Sequence, residues 1–143
     1  NVVYGKKTGS PPDGRKAGEI LADGTMSPMQ GVDTHGPLAV LQSAMKVNQD
    51  PFQATLLNMK FSPNTLKTPA DMEKLAALIS TYLNNGGKHV QFNVVARETL
   101  EAARKDPAAH RDLVVRIAGY SAYFVQLNAS MQQEVIDRTE HVL

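Results

Sequence analysis

Cysteine is absent from this sequence, and that absence excludes more than any other feature of the composition. No disulfide can form, and no thiolate of this chain can hold zinc or an iron–sulfur cluster. Neither sign of charge is in excess: 15 basic and 14 acidic residues leave a net charge of +1, so no electrostatic argument points to nucleic acid or to an anionic membrane. No apolar run approaches the roughly 18 residues that a membrane-spanning helix needs. The histidines His35, His89, His110 and His141 are scattered, with no i, i+4 pairing and no carboxylate at ligand spacing. They read as surface or incidental residues, and no metal site is expected. The first residue is Asn1 rather than Met, which hints at a fragment or a processed product.

What remains is an ordinary globular composition, 143 residues and 42% apolar, enough for one domain with its own core. Residues 1–36 stand apart. Gly5, Gly9, Pro11, Pro12, Gly14, Gly18, Gly24, Pro28, Gly31 and Gly36 leave no helical or strand period there, so an irregular arm is expected. Ile20, Leu21, Met26 and Met29 are apolar enough to need a surface, and the arm is expected to wrap over a body. Tyr4-Gly5-Lys6-Lys7-Thr8-Gly9-Ser10 has a superficial likeness to a phosphate loop, but the order is wrong and no strand precedes it. Asp13 and Arg15 are read as an ion pair that holds a turn.

Strand and helix units are expected over residues 37–117. Pro37 to Lys46 suits a short helix with Leu38, Leu41 and Met45 along one face and Pro37 at the favoured first position. Thr55 to Phe61 alternates, placing Leu57, Met59 and Phe61 on one side of a strand. A helix from Ala70 to Asn84 has Thr68 as its cap, Pro69 at its start, and Met72, Leu75, Ile79 and Leu83 along a face. Gly86-Gly87 ends it. His89 to Val95 is a second strand, where Val90, Phe92 and Val94 alternate with Gln91 and Asn93. A helix from about Glu98 to Lys105 and a third strand from Leu113 to Ile117 follow. Strand–helix–strand–helix–strand order argues for a mixed α/β fold with parallel pairing. A last helix is expected from about Ala129 to Glu140, capped by Asn128, with Met131, Val135 and Ile136 buried.

The third strand feeds the stretch around which the rest is arranged. Val114-Val115-Arg116-Ile117 climbs to Ala118-Gly119-Tyr120-Ser121, a glycine among small and aromatic residues. A hairpin tip usually shows Asn-Gly or Asp-Gly in polar company, so this reads instead as an apolar loop built for insertion. An isolated glycine is most often a plain loop residue at positive φ, but glycine also serves where backbone must come very close to another reacting atom.

Here the chain resembles a known family. Arg116-Ile117-Ala118-Gly119-Tyr120, followed at the right distance by Gln132-Gln133-Glu134-Val135-Ile136-Asp137-Arg138-Thr139, closely resembles the C-terminal signature of the glycyl radical enzymes. That family's R-V-x-G-Y loop carries a stable radical on its glycine. Pro12-Asp13-Gly14-Arg15-Lys16-Ala17-Gly18-Glu19 and Ser27-Pro28-Met29-Gln30-Gly31 match further family segments, so the resemblance runs from about Tyr4 to Thr139. Chemistry supplies a reason for glycine. A radical at Cα lies between an electron-donating amide nitrogen and an electron-withdrawing carbonyl, and it delocalises only if that carbon can flatten. A side chain would crowd the flattened geometry and block a hydrogen acceptor.

The resemblance implies that residues 1–143 form the C-terminal portion of a ten-stranded β/α barrel. Its parts would be the arm 1–36, strand and helix units 37–117, a radical loop 118–127 and a C-terminal helix 128–143. It implies that Gly119 stores the radical, installed by a radical S-adenosylmethionine activating enzyme, and that the chain itself binds no cofactor. Gly119 would relay hydrogen abstraction to a cysteine outside this chain, in an oxygen-sensitive lyase or dehydratase cleaving a C–O or C–N type bond of a small polar substrate. Without that cysteine the chain alone should turn nothing over. The partners implied are the activating enzyme, the remainder of the barrel with its cysteine, the small organic substrate, and a second copy in a homodimer of the full enzyme. The location implied is cytoplasmic, or within a bacterial microcompartment.

Ile117 through Val125 looks more like the eliminating branch than pyruvate formate-lyase, which usually has serine at the position of Ala118 and arginine at that of Tyr123. A formate C-acetyltransferase domain is therefore one alternative, and a stand-alone spare part that replaces an oxygen-cleaved C-terminus is another. Arg138 lies seven residues past Met131, two turns on and so on the buried face. It must be paired or face a polar cavity. In dehydratases of the family the matching arginine lies close to the substrate cavity, whereas an edge arginine would pack its stem and keep its head in water. Tyr120 and Tyr123 could support radical transfer or simply pack the loop in place.

Overall fold

The computed structural model describes residues 1–143. After a single short helix in the arm, α1 (Val2–Gly5), the chain forms α2 (Pro37–Met45), β1 (Leu56–Phe61), α3 (Pro69–Asn84), β2 (His89–Val94) and α4 (Arg97–Lys105). It continues through β3 (Val114–Arg116), β4 (Ser121–Tyr123), α5 (Ala129–Asp137) and β5 (Glu140–His141). Every helix and strand expected between residues 37 and 105 is present within one or two residues of its expected ends.

β1 is the central strand of a sheet ordered β2-β1-β5, and it pairs in parallel with both neighbours, Met59 opposite Phe92 and Phe61 opposite His141. Its alternation puts Leu57, Met59 and Phe61 on one face. There they bury with Val40, Leu41, Ala44 and Tyr82 in a cluster covered by α2 and α3, with Met26 of the arm packed against it. α3 begins as its sequence predicts. Thr68 accepts from the Asp71 N–H, and the Asp71 carboxylate accepts from the Thr68 N–H, a reciprocal capping box.

The buried face of α3 differs from the expected one. Met72 and Leu83 are exposed at 53% and 46%, while Tyr82 is fully buried, with Leu75 and Leu78 against the same cluster. The reason is polar. The Tyr82 hydroxyl accepts from Gln49 Nε2 at 3.1 Å, and a Cβ on Gly87 would stand 2.5 Å from the Tyr82 ring. An aromatic residue with a bonded hydroxyl, outside the aliphatic stripe, sets the rotation of the helix.

The third parallel strand is not formed. β3 turns back and pairs antiparallel with β4, Val115 opposite Ala122, so residues 117–120 are the tip of a β-hairpin after all. The place beside β1 goes instead to the short β5 at the end of the chain. α5 accordingly stops at Asp137 rather than Glu140, and Arg138 leaves the helix with ψ of 136°. Its buried face is as expected at Val135 and Ile136, which join Val95, Leu100, Ala103, Val115, Ile117 and Phe124 in a second cluster, with Met131 packed against it.

In the arm, Arg15 is buried, but its partners are backbone carbonyls of Thr8, Gly9, Lys16 and Glu19. Asp13 accepts only the Arg15 backbone N–H. The expected ion pair is a correction: Arg15 ties the turn together by satisfying carbonyls, which a guanidinium with its several donors does well. His141 is a second correction. It is buried on β5, not a surface residue, because its ring sits against Phe61 and its Nε2 lies 3.3 Å from the Asp33 carboxylate.

Candidate functional site

Gly119 stands at the exposed tip of the β3–β4 hairpin with φ of +77°, a conformation that glycine adopts without the Cβ penalty of other residues. Where a Cβ would project, no heavy atom beyond its chain neighbours lies within 4 Å. One Cα–H bond therefore points into open space. Beneath the tip the hairpin is closed by Ile117 N–H donating to the Tyr120 carbonyl at 2.9 Å, and Phe124 N–H to that of Leu113 at 2.8 Å. Ile117 is buried while Ala118, Gly119 and Tyr120 are exposed. That inward isoleucine lets an apolar sequence form the turn.

The hairpin is seated by side chains. On the face of the sheet opposite the apolar cluster, β1 and β2 present Asn58, Lys60, Gln91 and Asn93, all buried. Asn93 accepts the Arg116 N–H at 2.8 Å and donates to the Arg116 carbonyl at 2.8 Å. Its carboxamide does for β3 what a neighbouring backbone would. Gln91 Oε1 accepts from the Gly119 N–H at 3.2 Å and from Arg116 Nη2 at 3.1 Å. Gln91 Nε2 donates to Asn58 Oδ1 and, at 3.5 Å, to the Ile117 carbonyl. Arg116 also reaches Ser121 Oγ at 3.1 Å, bridging the two sides of the tip.

Arg138 approaches from the end of α5. Nη1 donates to the Arg116 carbonyl and Nη2 to the Ile117 carbonyl, each at 3.0 Å. Nε lies 2.8 Å from both Glu134 Oε1 and Asp23 Oδ2, with all three side chains buried. The guanidinium thus ties helix, arm and hairpin together. Burial pushes the Asp23 carboxyl above its ordinary range, with Arg138 acting against that rise. Lys60, whose Nζ donates to the Ile136 carbonyl at 3.0 Å, has its ammonium disfavoured by burial, and its pKa is lowered. Asp33 accepts from Thr139 and lies beside His141, clasping the arm to the end of the chain.

Of the sequence-predicted residues, Gly119 and Arg138 are brought together through the Arg116 and Ile117 carbonyls rather than by direct contact. Arg138 borders a recess of about 20 Å³ with Asp23, Lys60 and Thr139. Tyr120 and Tyr123 are exposed at 50% and 47%, so within this chain neither packs the loop in place. Asn58, Gln91 and Asn93 were not singled out from the sequence. A cavity of about 670 Å³ between arm residues Thr25 to Asp33 and α2, walled by Met26, Val32, Val40 and Phe52, adjoins the recess beside Arg138 at Pro28 and Asp33.

Set beside known proteins, the chain matches the family described as "Glycine radical" over residues 22–125. It is 46% identical over 145 residues to the probable dehydratase YbiW of Escherichia coli (strain K12), covering 100% of this chain and 18% of that protein. It is 43% identical over 138 residues to the indoleacetate decarboxylase of Tractidigestivibacter scatoligenes, covering 96% and 16%. Among solved structures, the glycerol-bound B12-independent glycerol dehydratase from Clostridium butyricum aligns with a TM-score of 0.93 at 46% identity, covering 100% of this chain and 18% of that one. The chain thus spans less than a fifth of the length of each of these proteins.

Proposed function

The chain belongs to the glycyl radical enzyme family, and from that premise we propose that Gly119 is the carbon that stores the radical. The observation that carries the reading is the hairpin tip, where a glycine at φ of +77° turns one Cα–H into open space. A hydrogen acceptor can reach that bond, and no side chain hinders the carbon as it flattens. An activating enzyme of the radical S-adenosylmethionine class takes one hydrogen atom from Gly119 Cα and leaves the unpaired electron there. Gly119 then takes a hydrogen atom from a cysteine S–H outside this chain, and the resulting thiyl takes one from the substrate. After the bond is cleaved, the product radical takes that hydrogen atom back from the cysteine S–H, and the thiyl so formed takes one from Gly119 Cα, which returns the radical to Gly119.

The substrate side is proposed to be a lyase or dehydratase reaction on a small polar molecule, with cleavage of a C–O or C–N type bond. Support comes from the dehydratases among its relatives. A decarboxylase of similar identity fits a division of labour in which this domain keeps the radical and the remainder of the polypeptide selects the reaction. That remainder is proposed to be the barrel body. The exposed Leu38, Phe52, Met72, Tyr120 and Tyr123 are apolar surface for it to cover. Arg138 acts from beneath the loop. With its donors committed to two carbonyls and two carboxylates, any influence on a substrate cavity would pass through the position of the hairpin.

The test is chain scission. The polypeptide carrying this domain, activated without oxygen and then exposed to air, should be cleaved at Gly119, with the new terminus located by mass spectrometry. Cleavage at another residue, or none in a sample that carried the radical, would overturn the assignment.

A further inference from the structure

Resting on Gly119 as the radical carbon, we propose that Gln91 is its positioning residue. The Gln91 side-chain oxygen is the one hydrogen-bond partner of the Gly119 N–H, and its amide nitrogen reaches the carbonyl on the other side of the tip, that of Ile117. Its orientation is fixed by its neighbours. Arg116 can only donate, so the oxygen of Gln91 must face Arg116 and Gly119. Asn58 Nδ2 donates to the Asp23 carbonyl at 2.8 Å and to that of Ile117 at 3.3 Å, which turns Asn58 Oδ1 toward the Gln91 nitrogen. With only 7% of its surface exposed, Gln91 has no solvent alternative for these bonds.

The consequence is electronic as well as geometric. An unpaired electron on Cα spreads into the amide nitrogen only where the 118–119 peptide plane lies in line with the flattened carbon. An acceptor on the N–H sets that plane and, by drawing on the proton, makes the nitrogen a better electron donor. Gln91 therefore steadies the radical without touching the carbon that holds it.

The experiment uses the polypeptide carrying this domain, activated anaerobically by its activating enzyme and followed by electron paramagnetic resonance. Gln91→Met keeps the length of the side chain and removes both polar ends. It should retain a glycine doublet with altered proton splitting, and an anaerobic lifetime about five- to tenfold shorter, the factor one ordinary hydrogen bond provides. Gln91→Glu keeps an acceptor for the Gly119 N–H but sets a carboxylate oxygen against Asn58 Oδ1 and the Ile117 carbonyl, so it should recover only part of the lifetime. Should Gln91→Met fail to fold, the unmutated protein made with glutamine carrying 13C at the side-chain carbonyl gives a second readout. Electron-nuclear double resonance should find a weak 13C coupling at the radical, and its absence would overturn the proposal. A doublet and lifetime in Gln91→Met equal to those of the unmutated protein would overturn it too, leaving Gly119 in place. An unmutated sample with no glycine doublet would overturn the Gly119 assignment and this inference together.

Discussion

The backbone N–H of Gly119 donates to Gln91 Oε1 at 3.2 Å, so residues 28 apart are joined by a side chain rather than by a strand ladder. The same holds along the hairpin. Arg116 is held by Asn93, and the Arg116 and Ile117 carbonyls by Arg138. A segment docked in this way is well placed yet separable, because its bonds can open without unpairing β1 from β2. On the proposed reading, in which an activating enzyme reaches Gly119, the loop needs that property.

Hydrogen exchange should register it. The amides of Val115, Arg116 and Gly119 should exchange through an opening smaller than the one needed for Met59 and Phe61 in the centre of the sheet. Equal protection of both sets would mean that the hairpin opens only with global unfolding.

Arg138→Ala should be severely destabilising, about 3–5 kcal/mol, because it strands buried Glu134 and Asp23 without their cation. Arg138→Lys should recover only part of this, since an ammonium cannot span two carbonyls and two carboxylates. Urea unfolding measures both, and a loss under about 1 kcal/mol, the scale of an exposed ion pair, would contradict the cluster.

Stability should fall as the medium is acidified, and His141 should supply part of the slope. Burial holds its pKa below the ordinary 6.5, with Asp33 acting the other way. Between the folded value and 6.5 the unfolded chain binds more protons, so this contribution is whole above that window and is lost as pH drops through it. Asp23 works in the opposite direction. Its raised pKa means that the cost of burying its charge shrinks as pH falls. Melting temperature against pH should be flatter between about pH 7 and 5 in His141→Asn than in the unmutated protein, over the range where histidine titrates. Parallel curves would show that His141 keeps an ordinary pKa.

Local chemistry made much of this fold legible. The alternation of Leu57, Met59 and Phe61 identified β1, and Thr68 with Asp71 marked the start of α3. The period of two also put Gln91 and Asn93 on a common face, but it could not say what covers that face. The answer is a hairpin more than twenty residues downstream. β5 was illegible for a similar reason: two residues carry no period, and Glu140 and His141 pair only because β1 offers a free edge. Gly119 stood out by its company, and Arg138 by its helical position as a buried cation in need of partners. Asp23, the partner it draws from the arm, lies too far along the chain for any local pattern to reveal.

The most direct measurement is electron paramagnetic resonance of the activated, oxygen-free polypeptide made with glycine carrying 13C at Cα, beside its Gly119→Ala variant. An alanine methyl at Gly119 would meet no heavy atom within 4 Å, so the variant should stay folded, weakened by about 1–2 kcal/mol from its positive φ. The account predicts a doublet further split by the label, and no signal in Gly119→Ala. A doublet persisting in Gly119→Ala, or one untouched by the 13C, would place the unpaired electron elsewhere.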